Sequence, residues 1–270
     1  MAVRREDEGT QGQPGRLVFL HIPKTGGTSL RALFRHWLPD EAMRFVDPPL
    51  APDDLAELSD PASDLRLIAG HLYFGIDEQL GFCGEYITFL RDPVERIVSF
   101  WTHQVRREQS EFHELARGGM TLHDFVEGGY THQTNNLMTR ILIGTSVPGI
   151  LDGSLGHITE RHYLRLALRN VETRFRFVGF MEQFDQSVTA MAKALDWPVG
   201  EVASARLNVL NSAAATIDDA TLRLIRRHNA LDLRLYNTLF WQSAWLHPGA
   251  SWKRRLRGLL GSSPPGVNAR

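Results

Sequence analysis

The sequence predicts an α/β protein in which a mainly parallel β-sheet carries helices on both faces. Two observations lead to this fold class. Short apolar runs of strand length alternate along the chain with stretches of helical periodicity, as in folds built from strand–helix–strand units. The 270 residues have an ordinary globular composition, 43% hydrophobic and 23% charged, and they are numerous enough to bury one large core.

The first element is an apolar run from Leu17 to Ile22, which the turn PKTGGTS connects to a helical pattern. Apolar residues recur at helical spacing after this turn: Leu30, Leu33, Phe34 and Trp37. We predict a strand, a turn and a helix, an arrangement that binds anions at the free N–H groups and positive dipole end of the helix. The other interpretation is a plain glycine turn whose lysine faces water.

The turn contains the groups that an anion site needs. Gly26 and Gly27 let the backbone approach a ligand closely, because neither has a Cβ atom. Lys24 supplies positive charge, and three hydroxyl groups supply further donors: Thr25, Thr28 and Ser29. The lysine precedes the glycines, so the turn does not match the nucleotide-triphosphate loop G-x-x-x-x-G-K-[ST].

Three further strands are expected at 65–69, 86–90 and 175–180. The segment 40–63 is rich in Pro and Asp. We predict that it is a surface excursion outside the core, with a short helix at 53–58.

The helix after the third strand has clear start signals. Asp92 stands at the N-cap, Pro93 at the first helical position and Glu95 at the capping-box position. Its expected buried face consists of Val94, Ile97, Val98, Trp101 and Val105. We expect Arg96 to pair with Glu95, Asp92 or a loop carboxylate.

One domain is expected from 16 to 246, with a helical insert at about 108–172. Helices are predicted at 158–171, 182–195, 217–229 and 231–246. Residues 1–15 are predicted to be a disordered leader, and residues 247–270 a basic flexible tail. Two interpretations of the tail are open: it contacts a membrane or a polyanion, or it is a solvated end of the chain.

Charge and cysteine content narrow the function classes. The net charge of −1 gives no general attraction for nucleic acid. The one cysteine, Cys83, excludes an internal disulfide framework and fits a reducing compartment. No apolar run is long enough for a transmembrane helix, and the first residues do not have the pattern of a signal peptide. We therefore expect a cytoplasmic location.

Three candidate functional positions follow directly after predicted strands: Gly26, His71 and Arg91. Ligands of parallel α/β sheets bind beyond the carboxyl ends of the strands, so we expect these positions to share one site. Arg91 can bind a phosphate bidentately, and Ser99 in the following helix can reach the same anion.

Two of these segments resemble the nucleotide motifs of sulfotransferases that use 3′-phosphoadenosine-5′-phosphosulfate (PAPS). PKTGGTS is similar to their 5′-phosphosulfate loop, closest in style to the carbohydrate 2-O-sulfotransferases of heparan and dermatan sulfate. RDPVERIVS is similar to their 3′-phosphate motif, which places Arg91 and Ser99 on the 3′-phosphate. The later segments VGFMEQF and DLRLY also resemble this family.

The resemblance implies a sulfotransferase fold, PAPS as co-substrate, PAP as product, no metal, and a carbohydrate or glycoconjugate acceptor. The Gly-His pair at His71 resembles the one that carries the catalytic base, although Ala69 stands where those enzymes have a second histidine. Lys24 would neutralise the leaving group. Further nucleotide contacts are expected from Asn208 and Ser212, and acceptor contacts from Tyr73, Asn136 and Arg140. His21 could also face the site.

Two other functions stay open. An ATP-dependent small-molecule kinase would need a different loop order and a metal-binding aspartate. A nucleotide-binding module without catalysis would not need an intact Lys24 and His71. The sequence does not identify the acceptor or the oligomeric state.

Overall fold

The computed structural model describes residues 15–152, 154–199 and 217–241. The leader up to residue 14, the basic tail, and two predicted nucleotide contacts, Asn208 and Ser212, lie outside these residues.

Five strands form one parallel sheet: β1 Leu17–Leu20, β2 Met43–Val46, β3 Leu67–Gly70, β4 Glu85–Leu90 and β5 Phe175–Phe180. Their order is β2-β3-β1-β4-β5, so β1 lies in the centre between β3 and β4. The predicted α/β class and the four predicted strands are confirmed.

The strand β2 corrects the prediction that the segment 40–63 is a surface excursion. Met43 pairs with Leu67 and Val46 pairs with Gly70, and both Met43 and Val46 are buried. β2 is an edge strand in which only the first and last of four residues are buried, whereas all four residues of the equally short β1 and β3 are buried, so β2 gives no clear apolar run between its polar neighbours. A Cβ atom on Gly70 would lie 1.6 Å from the Val46 carbonyl oxygen, so β2 and β3 approach closely there.

Eleven α-helices lie within the described residues. They are α1 Gly27–Trp37, α2 Pro52–Ser59, α3 Ile76–Gln79, α4 Pro93–Arg106, α5 Glu111–Arg117, α6 Leu122–Glu127, α7 Leu137–Ile143, α8 Arg161–Arg174, α9 Phe184–Ala194, α10 Asp219–His228 and α11 Ala230–Phe240. None of them is long and apolar enough to span a membrane.

The helices cover both faces of the sheet, as predicted. On one face α1 and α9 pack against Phe19, Ile87 and Phe89. On the other face α7, α8 and α11 pack against Val18, Ile68 and other apolar residues of the sheet. A third apolar cluster joins α4 to α5, α6 and α10.

The start of α4 differs in one detail from the predicted capping box. The Asp92 carboxylate accepts hydrogen bonds from the N–H groups of Val94 and Glu95, at 2.9 and 3.1 Å. The Asp92 N–H group, however, donates to Glu182 at 2.7 Å and not to Glu95. A residue distant in sequence therefore completes this cap and connects α4 to the end of β5.

Candidate active site

A cavity of about 1300 Å³ opens at the carboxyl ends of the central strands. The structure brings most of the predicted site residues together in its lining: Lys24, Gly26, Gly27, Thr28, Ser29, His71, Tyr73, Arg91, Ser99 and Arg140. This juxtaposition arises because β1, β3 and β4 are neighbours in the sheet and end at the same edge.

The turn between β1 and α1 has an unusual backbone. Gly26 has φ +85° at the N-cap of α1, and Lys24 has φ +72°, which is uncommon for a residue with a side chain. No side chain caps α1, so its first N–H groups are not occupied by a capping residue. Burial and the positive charge of Arg91 lower the pKa of Lys24. The turn thus combines open amide donors with two neighbouring cations.

Thr25 is an exception within this turn. Its side chain is fully buried and its hydroxyl donates to the Ile22 carbonyl at 2.7 Å. The predicted contact between the Thr25 hydroxyl and an anion is therefore corrected, because this hydroxyl stabilises the turn from inside.

The guanidinium group of Arg91 lies beside the same turn. It makes two long contacts, 3.4 Å to the Lys24 carbonyl and 3.5 Å to the Glu95 carboxylate. Ser99 lies two turns along α4 and also lines the cavity. The two predicted anion-binding segments are thus adjacent walls of one cavity.

His71 is held by Asp47, a residue that the sequence analysis missed. The His71 Nδ1 atom lies 2.8 Å from the Asp47 carboxylate, and the His71 N–H group donates to the same oxygen at 3.1 Å. Because Asp47 occupies Nδ1, the Nε2 atom is the ring nitrogen that is left for a ligand. Asp47 follows β2 directly, so recognition of this strand would have placed an acid at the ligand-binding edge.

His21 lies against His71 and also lines the cavity. The two imidazole rings stack with their centroids 4.6 Å apart. Burial, with the positive charge that His71 can carry as a second cause, lowers the pKa of His21 to about 4. His21 is therefore neutral at pH 7, and its ring fits only because Gly27 has no Cβ atom, which would lie 1.9 Å from Nε2.

The predicted acceptor contact of Asn136 is not supported, because Asn136 does not line the cavity. It is buried, its amide donates to the Ile158 carbonyl at 2.9 Å, and its side-chain oxygen accepts from the N–H groups of Leu231 and Asp232. These contacts connect α7 to α11, so the structure gives Asn136 a role in packing instead of acceptor binding.

Arg140 borders the cavity, but its donors are used internally. It donates to the backbone of Asn135, Ile150 and Gly156 and to the Asn135 side chain. Only 1% of the residue is exposed. The predicted acceptor contact of Arg140 is corrected to a structural role, because the guanidinium holds together the loops beside α7.

Arg96 also differs from its predicted pairing. Its guanidinium is fully buried and donates to the Gln133 carbonyl, a backbone group of the insert. Burial lowers its pKa to about 10, against the opposing negative charge of Asp232. Arg96 therefore positions the loop that carries Gln133, which lines the cavity.

No cluster of three or more metal-ligating side chains occurs in the described part of the chain. The lining also contains basic groups that the sequence analysis did not assign: His103 and Arg106 of α4, Arg107 directly after α4, and His132 of the insert.

A family model described as galactose-3-O-sulfotransferase matches residues 9–260. The chain belongs to the galactose-3-O-sulfotransferase family. The predicted sulfotransferase resemblance is thus confirmed, while the matching family is of the 3-O type and not of the 2-O type that the motif style suggested.

Curated relatives within this family match parts of their own lengths. Galactosylceramide sulfotransferase of Bos taurus is 28% identical over 258 residues, which cover 85% of this chain and 58% of that protein. Galactose-3-O-sulfotransferase 3 of Mus musculus is 39% identical over 85 residues, 30% of this chain and 20% of that protein. The chain therefore spans less than two thirds of these relatives.

Among solved structures, the crystal structure of mouse sulfotransferase SULT7A1 complexed with PAP covers 82% of this chain and 66% of that chain. It has 14% identity and a TM-score of 0.42.

Proposed function

We propose that this protein transfers the sulfuryl group of PAPS to a hydroxyl group of a galactose-containing carbohydrate or glycolipid. One observation carries the proposal: the Lys24 turn, Arg91 and His71, which Asp47 holds, line one cavity at the edge of a parallel sheet. Membership of the galactose-3-O-sulfotransferase family and the names of the relatives, which include galactosylceramide sulfotransferase, support the acceptor class.

The residues present fit the nucleotide. The first turn of α1 offers uncapped N–H groups and the hydroxyls of Thr28 and Ser29, beside Lys24, for the 5′ end. Arg91 and Ser99 are available for the 3′-phosphate. When bound, PAPS supplies an activated sulfuryl group on a phosphate leaving group.

The side chains that surround this site suit acid–base and electrostatic catalysis. His71, through Nε2, accepts the proton of the acceptor hydroxyl, which is far too weak an acid to ionise alone near neutral pH. Asp47 fixes the tautomer of His71 and stabilises its protonated form. Lys24 places a positive charge where the leaving phosphate gains negative charge. His21, being neutral, packs against His71 without adding charge.

Two other functions compete with this proposal. Nucleotide binding separates the sulfotransferase from the kinase, and the transfer assay separates it from the silent binding module. We expect 3′,5′-ADP to raise the midpoint of thermal unfolding much more than 5′-AMP or ATP with magnesium does. Arg91→Ala should remove the preference for 3′,5′-ADP over 5′-AMP, roughly 10-fold or more in affinity. Arg66→Ala is the matched control, because Arg66 is exposed at the opposite end of β3.

Stronger stabilisation by ATP with magnesium would favour the kinase. An unchanged preference in Arg91→Ala would refute the assignment of Arg91. The cytoplasmic location, and the membrane or polyanion contact of the tail, stay predictions from the sequence.

A further inference from the structure

The helix α4 forms one wall of the cavity well beyond the proposed nucleotide contacts. Ser99 is followed at helical spacing by His103 and Arg106, and Arg107 is the C-cap residue; all four residues line the cavity. Arg106 lies about 10 Å along the helix axis from Ser99, at 1.5 Å per residue, and Arg107 follows it directly. One phosphate held by Arg91 and Ser99 therefore does not account for them.

Arg106 and Arg107 are exposed and form no ion pair with any described residue. Three arginines outside the cavity lining, Arg44, Arg174 and Arg176, by contrast contact two carboxylates each. Two adjacent arginines without a carboxylate partner at a cavity wall are free to bind an anion from solution.

The electrostatics of this wall point in the same direction. Burial first, and then the positive charges of Lys24 and Arg107, lower the pKa of His103. Glu95, the acid of α4 in the lining, lies beside Arg91, so the wall from Ser99 to Arg107 contains basic side chains and no acid. A stretch of cavity wall with one sign of charge attracts a ligand group of the opposite sign.

The wall that contains His71 is different in character. Leu72, Tyr73, Leu137 and Ile141 give it apolar and aromatic surface beside the proposed base. Such a surface suits the apolar face of a sugar ring, whereas the last part of the α4 wall consists of polar and basic groups: Thr102, His103, Gln104, Arg106 and Arg107.

We propose that Arg106 and Arg107 form a subsite for a negatively charged group of the acceptor. The favoured acceptor is then an anionic galactoside, in which a sugar beside the reacting galactose carries a carboxylate or a sulfate ester. This inference rests on the proposed function, because it assigns a substrate class to the same cavity.

Kinetics with matched acceptors test the subsite. Three acceptors are compared. The first is a neutral galactosyl disaccharide, the second has a uronic acid as its second sugar, and the third has a sulfate ester on its second sugar. The unaltered enzyme should have a lower KM for one or both anionic acceptors, and salt should weaken this preference. The double variant Arg106→Gln/Arg107→Gln should raise the KM for the preferred anionic acceptor about tenfold or more. It should change the KM for the neutral acceptor less than about threefold.

Two controls separate the subsite from the nucleotide site and from general charge. The affinity for 3′,5′-ADP should be unchanged in the double variant. The variant Arg161→Gln/Arg165→Gln removes two exposed arginines of α8 outside the cavity lining, and it should behave as the unaltered protein. Binding of the anionic disaccharides to the complex with 3′,5′-ADP gives a readout that does not depend on turnover.

The outcomes are distinct. The subsite is overturned if the unaltered protein has equal KM values for neutral and anionic acceptors. It is also overturned if the double variant raises the KM for both kinds of acceptor by the same factor. Both results leave the proposed function standing. Loss of 3′,5′-ADP affinity in the double variant assigns the arginines to the nucleotide and also overturns it. Absence of both 3′,5′-ADP binding and transfer in the unaltered protein overturns the proposed function together with the subsite.

Discussion

Asp47 decides how His71 is presented to the cavity, since one carboxylate oxygen accepts from both the ring and the backbone of His71. Its side chain is exposed, so its contribution to overall stability is small. Its importance in this account lies in the orientation of a proposed base, which makes Asp47 a positioning residue.

Asp47→Asn should lower kcat roughly 10- to 1000-fold, because the amide no longer stabilises the protonated imidazole. The affinity for 3′,5′-ADP and the KM for PAPS should stay close to those of the unaltered protein. Asp47→Glu should restore part of kcat, since it keeps the carboxylate. The measurement is steady-state kinetics, with Asp53→Asn, an exposed acid of α2, as the control. An unaltered kcat in Asp47→Asn would show that Asp47 does not assist the reaction.

Several residues show where sequence reasoning stops at this scale. The glycines of the Lys24 turn could be assigned because their missing Cβ atoms have a local consequence. The roles of Asn136 and Arg140 could not, because their partners depend on tertiary packing: Asn136 joins α7 to α11, and Arg140 joins the loops beside α7. The Thr25 hydroxyl has a local partner, the Ile22 carbonyl, but the sequence does not tell an inward-facing hydroxyl of a turn from an outward-facing one. Polarity alone does not tell a ligand contact from a buried structural bond.

At the scale of elements, β2 connects the edge of the sheet to the site. It pairs with β3 over four residues and ends directly before Asp47. The other four strands were predictable because each is a long enough apolar run. β2 was not, because only Met43 and Val46 are buried and prolines and acids surround it.

Gly70→Ala should separate β2 from β3, because the new Cβ atom would lie 1.6 Å from the Val46 carbonyl oxygen, a backbone atom that no side-chain rotation can move away. We expect a loss of about 1–3 kcal/mol in the free energy of unfolding, measured by denaturant titration. We also expect a lower kcat, since Asp47 moves away from His71. Gly118→Ala is the control, because its nearest neighbour would be at an ordinary 3.4 Å. Equal stability of the two variants would contradict the close approach of β2 and β3.

At the scale of the whole molecule, the sheet order brings the ends of three strands to one cavity. The central position of β1 places the Lys24 turn between the His71 end of β3 and the Arg91 end of β4. The sequence was sufficient to predict this convergence, because each motif follows its own strand and parallel strands end at the same edge. The chemistry that depends on α4 and the insert was hidden, since the facing surfaces come from segments far apart in the chain.

The most direct test of the central claim is the transfer of labelled sulfate from PAPS to galactose-containing acceptors. We expect labelled product and an equal amount of 3′,5′-ADP, with His71→Gln and Lys24→Ala each losing transfer at least about 100-fold. His71→Gln should still bind 3′,5′-ADP. Binding of 3′,5′-ADP without transfer to any galactoside, or full transfer by His71→Gln, would contradict the account.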